Sequence, residues 1–377
     1  MDSIPSSFTE ESPEFVRTSF AAAITLGLRQ GRFFRDAKLY CLNFLLKYTS
    51  GCVGRCAYCG LSDARNSRKT WSEQSFIRVD WPTVKVDDVL DRMDAESCSH
   101  VERVCISMVT HRRAPSDTLT IAGRFHDKID ATSALIAPTV VDENWLAEAR
   151  NVGVDKVGIA IDAATAKLFK KFRGQGVLGP HRWERYWETI GKAVQIFERP
   201  NVSIHLIVGL GESEQEMIET IQKAYDMGAL SHLFSFFPEE GSLMQQHVQP
   251  SIGQYRRVQL ARHLVNKNIA TASEMKFDMN GRLVDFGVDN STLDRVINSG
   301  FPFMTTGCAS GNMENACNRP YSDSTPYQAL VGELRNFPFP PGIRDIDTIR
   351  KQIWDYSDTP TRVWTEDTNC QDCLSTV

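Results

Sequence analysis

Hydrophobic and polar positions along the chain follow two alternating periods. Short apolar runs read as buried strands: CLNFLLKY (41–48), RVCISMV (103–109), SALIAP (133–138), DKVGIAI (155–161), VSIHLIVGL (202–210) and HLFSFFP (232–238). A weaker TASEMKF (271–277) and FPFMTT (301–306) continue the series. Between most of them lie amphipathic stretches with helical spacing, such as PHRWERYWETIGKAVQIFE (180–198) and SEQEMIETIQKAYDMGA (213–229). In the second, Ser213 and Glu216 have the spacing of a capping box, and Gly228 marks a C-terminal stop. Strand and helix in alternation predict parallel βα units. About eight strands over roughly 270 residues predict a (β/α)8 barrel of the TIM type, full or partly open, with a doubly wound open sheet as the alternative. Residues 1–38, with SPEFVRTSFAAAITLGLRQG as the clearest part, read as an N-terminal helical extension. The barrel is expected over 39–320, and the Pro-rich, irregular 321–377 as a C-terminal extension wrapping it.

Composition narrows the class without naming a chemistry. The chain has 377 residues, 42% hydrophobic and 24% charged, which are ordinary globular values and exclude a disordered or fibrous protein. A net charge of −5 gives no general reason to expect nucleic acid as a partner. No apolar run approaches the roughly 20 residues that span a bilayer, so no membrane segment is expected. The opening MDSIPSSFTEESPEF is acidic and polar, unlike a secretory or transit leader, and a cytoplasmic location is the expectation.

Ten cysteines in such a compartment suggest metal binding rather than disulfides. Cys52, Cys56 and Cys59 stand at CxxxCxxC spacing in GCVGRCAYCG, directly after the first strand and so at its C-terminal end, where barrel active sites assemble. Cys308 and Cys317 lie in TTGCASGNMENACNRPYSDSTP, and Cys370 and Cys373 in NCQDC. Cys41 and Cys105 sit inside apolar runs and read as small buried hydrophobes; Cys98 is also isolated. A closed zinc site needs four ligands, and the next Cys or His after the loop is Cys98 or His100. A 4Fe–4S cluster held by three thiolates instead keeps one iron open. That iron is able to chelate S-adenosylmethionine, whose reductive cleavage yields a 5′-deoxyadenosyl radical.

CxxxCxxC with Tyr58 before the last cysteine resembles the signature of the radical SAM superfamily. VGLGES (208–213) is similar to the corresponding segment of biotin synthase-like members, which implies that Gly209 and Gly211 let backbone approach the cofactor; a tight βα turn explains the same glycines. Asp162, ending a strand, reads as a pocket residue or a helix cap. Ser107 follows the second strand, where the superfamily contacts the methionine amino group, although the usual Gly-Gly-Glu is not present. Arg182 and Arg185 in HRWERYW offer guanidinium groups for the methionine carboxylate, or else a solvated helix face.

Cys308 and Cys317 begin beyond the eighth apolar run and are expected to return to the barrel mouth that holds the three-thiol loop. They suggest a second, auxiliary 4Fe–4S cluster, completed by Cys370 or Cys373, or by a nearby Ser or Arg. Residues 18–345 together resemble the second component of the two-protein lipoyl synthase. The resemblance implies a radical SAM sulfurtransferase inserting sulfur into an octanoyl chain on a carrier protein. Its implied partners are a paralogous first component and a low-potential electron donor. Biotin synthase, methylornithine synthase and the hydrogenase maturases share parts of these motifs. From another class, a non-catalytic iron–sulfur scaffold or electron carrier is the alternative, and the open iron argues against it.

Overall fold

The computed structural model of the chain describes residues 9–62, 81–310, 317–318 and 333–357. Its centre is an eight-stranded sheet in the order β3-β1-β2-β4-β5-β6-β7-β8. Six strands are parallel: β2 (Cys41–Leu46), β4 (Arg103–Ser107), β5 (Thr132–Ile136), β6 (Val154–Asp162), β7 (Val202–Val208) and β8 (Leu230–Ser235). They coincide with the first six apolar runs. β1 (Phe15–Thr18) pairs antiparallel with both β2 and β3 (Thr83–Lys85) and extends one edge. Among the described residues β8 and β3 remain unjoined, so the βα array is a partly open barrel.

The helices α1 (Phe20–Thr25), α2 (Val86–Arg92), α3 (Ala114–His126), α4 (Glu143–Asn151), α5 (Ala166–Phe172), α6 (Trp183–Phe197), α7 (Glu214–Asp226) and α8 (Ile252–Asn266) alternate with these strands. The capping box expected at Ser213 and Glu216 is present at the start of α7. Beyond α8 come a two-stranded pair, β9 (Lys276–Phe277) with β10 (Leu283–Asp285), then α9 (Asn290–Ser299) and α10 (Ile343–Ile353).

Strand alternation sorts the side chains. Leu42, Phe44, Leu46, Val104, Ile106, Val157, Ile159, Ile204 and Leu206 are buried in the apolar core; Phe44, for example, stacks on Phe125 of α3 at 4.9 Å. The opposite parity lines the concave face: Asn43, Cys105, Ser107, Asp162 and His205 all border one cavity. A filled barrel packs branched apolar residues there. This one keeps polar groups and space.

Three local expectations differ. FPFMTT holds a 3-10 turn at Phe301–Phe303 and a single bridge at Met304, because Pro302 removes a backbone donor. It still runs beside β8, where Thr306 Oγ1 accepts the Leu233 N–H at 2.9 Å. TASEMKF forms a turn and the short β9, with Lys276 exposed, so it never joins the main sheet. Within the predicted helical extension, Phe15–Thr18 is a strand, and Ser19 caps the short α1 behind it.

A buried ion pair ties the C-terminal helices to the barrel. Arg257 Nη2 lies 2.7 Å from Glu214 Oε1, each side chain only 3% exposed. Arg257 also donates to the Ile353 and Asp355 carbonyls, and Glu214 accepts the Leu283 N–H. Glu214→Ala leaves the guanidinium buried without its counter-charge and is expected to lower stability by about 3–5 kcal/mol. Denaturant midpoints check this; a loss below about 1 kcal/mol, the range of an exposed pair, would contradict it.

Candidate active site

The three-thiol loop is held from several sides. Val53 N–H donates to the Thr110 carbonyl (3.0 Å), Ala57 N–H to Phe172 (2.8 Å) and Arg55 Nε to Val177 (2.9 Å), while Met244 N–H donates to Ala57 (3.2 Å). Gly54 allows the closest approach: a Cβ there would stand 3.1 Å from His181 Nε2 and 3.2 Å from Cys52 Sγ. Cys52 Sγ accepts the N–H groups of Thr110 (3.2 Å) and Gly54 (3.4 Å), and Cys59 Sγ that of Leu61 (3.4 Å). All three cysteines face a cavity of about 270 Å³.

Tyr58 and Asp162 meet there. The tyrosine hydroxyl donates to Asp162 Oδ2 at 2.5 Å, and Arg173 Nη1 lies 3.1 Å from the same oxygen. Arg173 continues through Tyr186 Oη (3.1 Å), which is 3.0 Å from His181 Nδ1, itself 2.7 Å from Thr139 Oγ1. Burial, reinforced by the Arg173 charge, pushes the His181 pKa down to about 2, so its imidazole is neutral. Burial also raises the thiol pKa of Cys56 and Cys59, although Arg173 acts against the rise at Cys56. The neighbouring Cys56 and Cys52 add to the rise at Cys59. Such a donor set needs a bound cation to become thiolate. Three sulfurs on one preorganised loop fit an iron–sulfur cluster in this respect. No group of three or more Cys, His, Asp or Glu among the described residues is arranged to hold a single metal ion.

Residues 46–224 match the Radical SAM superfamily model, a span running from the end of β2 through the cysteine loop and most of α7. This segment belongs to the radical SAM superfamily. A biotin synthase of Renibacterium salmoninarum is 24% identical over 222 residues, 57% of this chain and 59% of that protein. The chain therefore matches less than two thirds of that relative's length. Among solved structures, methylornithine synthase (PylB) aligns at TM-score 0.44 and 13% identity, covering 63% of this chain and 66% of that one. The FeFe-hydrogenase maturase HydG from Carboxydothermus hydrogenoformans aligns at TM-score 0.44 and 11% identity, covering 66% and 56%. Among the described residues no helix is long and apolar enough to cross a membrane.

Within the radical SAM segment, the structure brings together Cys52, Cys56, Tyr58, Cys59, Ser107 and Asp162 around the cavity. Arg182 and Arg185 are not among its lining. Arg182 is exposed at the start of α6, and Arg185 donates to the Pro138 (3.0 Å) and Val141 (2.7 Å) carbonyls. The guanidinium that faces the cavity is Arg173, at the end of α5. In sequence it was indistinguishable from a basic residue closing a helix before Gly174. Gly209 and Gly211 have φ of +105° and +115° and form the turn after β7, also outside the lining.

Cys308 and Cys317 do not return to the mouth that bears the loop. Arg103, at the start of β4, donates to the Ala309 carbonyl (3.1 Å), and Tyr40 N–H, just before β2, donates to Asn318 Oδ1 (3.1 Å). Both cysteines therefore sit at the N-terminal ends of the strands, opposite to expectation, because neighbouring residues bond there. Cys317 nevertheless borders the same cavity, which runs between the two ends. Cys370 and Cys373 lie outside the described residues.

The glycine turn contains its own titratable group. Glu212 accepts the N–H groups of Gly209 (2.6 Å) and Leu210 (3.0 Å), yet burial raises its pKa from 4.5 to about 7. An acid shifted upward in the folded state contributes stability fully below pH 4.5 and loses it as pH rises to about 7. The apo chain is expected to lose about 3 kcal/mol from this group across that window. Glu212→Gln should flatten that part of the pH–stability curve. An unchanged slope in the variant would show that Glu212 ionises normally.

Proposed function

We propose that the chain is a radical SAM sulfurtransferase that inserts sulfur into an unactivated C–H of a protein-bound octanoyl chain, as one of two cooperating lipoyl synthase components. The observation that supports this reading is one cavity bordered by both the three-thiol loop and Cys317. Cys52, Cys56 and Cys59 would hold a 4Fe–4S cluster, and Cys308 with Cys317 would help hold an auxiliary one. With S-adenosylmethionine bound, the first cluster supplies a one-electron route to hydrogen abstraction from unactivated carbon. The chain's own residues supply the container. Leu45, Leu135, Ile136, Ile207, Phe234 and Phe236 give apolar wall for an alkyl chain. Tyr58, Asp162 and Arg173 brace the loop and put a polar, hydrogen-bonded edge beside it.

An octanoylated lipoyl carrier, a paralogous first component and a low-potential electron donor are the partners this reading requires. A second reading, another biotin synthase-like radical reaction, is favoured by the 24% identity to a biotin synthase over 57% of the chain.

Anaerobic reconstitution with S-adenosylmethionine and an octanoylated carrier peptide, followed by mass spectrometry, separates them. The expected product from this chain alone is at most monothiolated. Reductive cleavage without any thiolation would favour the second reading, and iron binding without cleavage would favour an iron–sulfur scaffold. Alanine at Cys52, Cys56 or Cys59 is expected to abolish 5′-deoxyadenosine formation while circular dichroism stays native-like. A triple variant that still forms it would overturn the assignment of the loop.

A further inference from the structure

Two cysteines that read as core residues face the late pair. Cys41 opens β2 and Cys105 lies in β4, on the inward parity of the sheet; Asn43 and Cys105 are register partners. Asn43, only 4% exposed, sets its Nδ2 3.7 Å from Cys41 Sγ and 3.6 Å from Cys317 Sγ. Its Oδ1 is buried without a hydrogen-bond partner among the described residues. Asn43, Cys105 and Cys317 border the same cavity.

The loop that brings the late cysteines is clamped beside both. Arg103 holds the Ala309 carbonyl, next to Cys308, while it pairs with Asp155 (2.6 Å) and donates to Ser133 Oγ (2.8 Å). Ser310 Oγ donates to the Glu102 carbonyl (2.9 Å). Asn318, next to Cys317, receives Tyr40 N–H and donates to the Pro338 carbonyl (3.1 Å). Cys317 N–H in turn donates to the Cys308 carbonyl (3.4 Å). Cys41 Sγ and Cys317 Sγ thus share one amide donor, Asn43 Nδ2, and the Cys317–Cys308 hydrogen bond brings Cys308 beside them. A cysteine buried only for packing has apolar neighbours. Here Cys41 shares an amide donor with Cys317, and Cys105 borders the cavity beside that amide.

We propose that Cys41, Cys105, Cys308 and Cys317 form a four-thiolate iron–sulfur site at the N-terminal end of the part-barrel, without Cys370 or Cys373. The proposal rests on the second-cluster part of the functional reading, and it replaces the tail ligands with two strand cysteines. Arg103 stands beside this site as a cation that offsets thiolate charge. Four thiolates satisfy a 2Fe–2S or a 4Fe–4S cluster equally, so the shared chemistry is iron bound by four sulfurs.

The test removes the first site and counts what is left. In a Cys52→Ala, Cys56→Ala, Cys59→Ala background, reconstituted anaerobically with ferrous iron and sulfide, adding Cys41→Ala together with Cys105→Ala, which leaves two of the four thiols, is expected to cut protein-bound iron at least about fivefold. Adding Cys370→Ser and Cys373→Ser should leave it unchanged. Iron lost with the tail pair and kept without Cys41 and Cys105 overturns this ligand set while leaving a second cluster. No iron in the parent background overturns the second cluster itself. A measurement on the unmodified chain guards against a misfolded variant: native alkylation should label Cys105 in the apo chain and not after reconstitution. Equal labelling of Cys105 in both states would also overturn the proposal.

Discussion

The mouth of the barrel depends on the buried pair of Asp162 and Arg173. Asp162 ends β6 just past a register shift between Ala160 and Asp162, and its φ of 62° is left-handed, an uncommon conformation for a residue with a side chain. Bulges near strand ends re-aim side chains toward sites, and this one delivers a carboxylate to both Tyr58 and Arg173. Arg173 lies against the Phe169–Tyr186 pair, with its guanidinium carbon 5.3 and 5.0 Å from their ring centres. The cysteine loop thus leans through Tyr58 on a charge pair fixed by β6, α5 and α6. Breaking such a pair leaves an uncompensated buried charge, so loop geometry and local stability are one property.

The second organising feature is the inversion of the barrel interior. Apolar cohesion lies between sheet and helices, where Phe44, Ile106, Ile159 and Ile204 are buried. That frees the inward parity for Cys41, Asn43, Arg103, Cys105, Ser107 and His205. Gly158 adds room, since a Cβ there would meet His205 Nε2 at 3.1 Å. Polar groups packed this deep need partners, and Arg103 finds them in Asp155, Ser133 and Ala309. The cavity that results joins a thiol-bearing loop at one end of the strands to Cys317 at the other.

The six parallel strands were legible because a strand covered on both faces leaves a run too apolar for a loop and too short for a helix. The cysteine loop was legible because its spacing and its place after a strand are local facts. The last two strands were not, since pairing depends on distant neighbours and on donors such as the one Pro302 lacks. Arg173 was hidden in the same way: only the tertiary fold brings it to Asp162. For the strand cysteines the signal was present but outweighed. Cys41 with Asn43, and Arg103 with Cys105 and Ser107, alternate with apolar residues at the strand period, and the overall hydrophobicity of each run masked that second parity.

The account rests centrally on three loop thiols leaving one iron of a cluster open for S-adenosylmethionine. The most direct measurement is electron paramagnetic resonance of the reduced, reconstituted chain in which Cys308 and Cys317 are alanine, so that only the loop cluster contributes. On titration with S-adenosylmethionine the spectrum is expected to convert to a new signal, saturating at one equivalent per cluster. A reduced cluster whose spectrum ignores S-adenosylmethionine would mean that all its irons are fully ligated, and the central claim would fall.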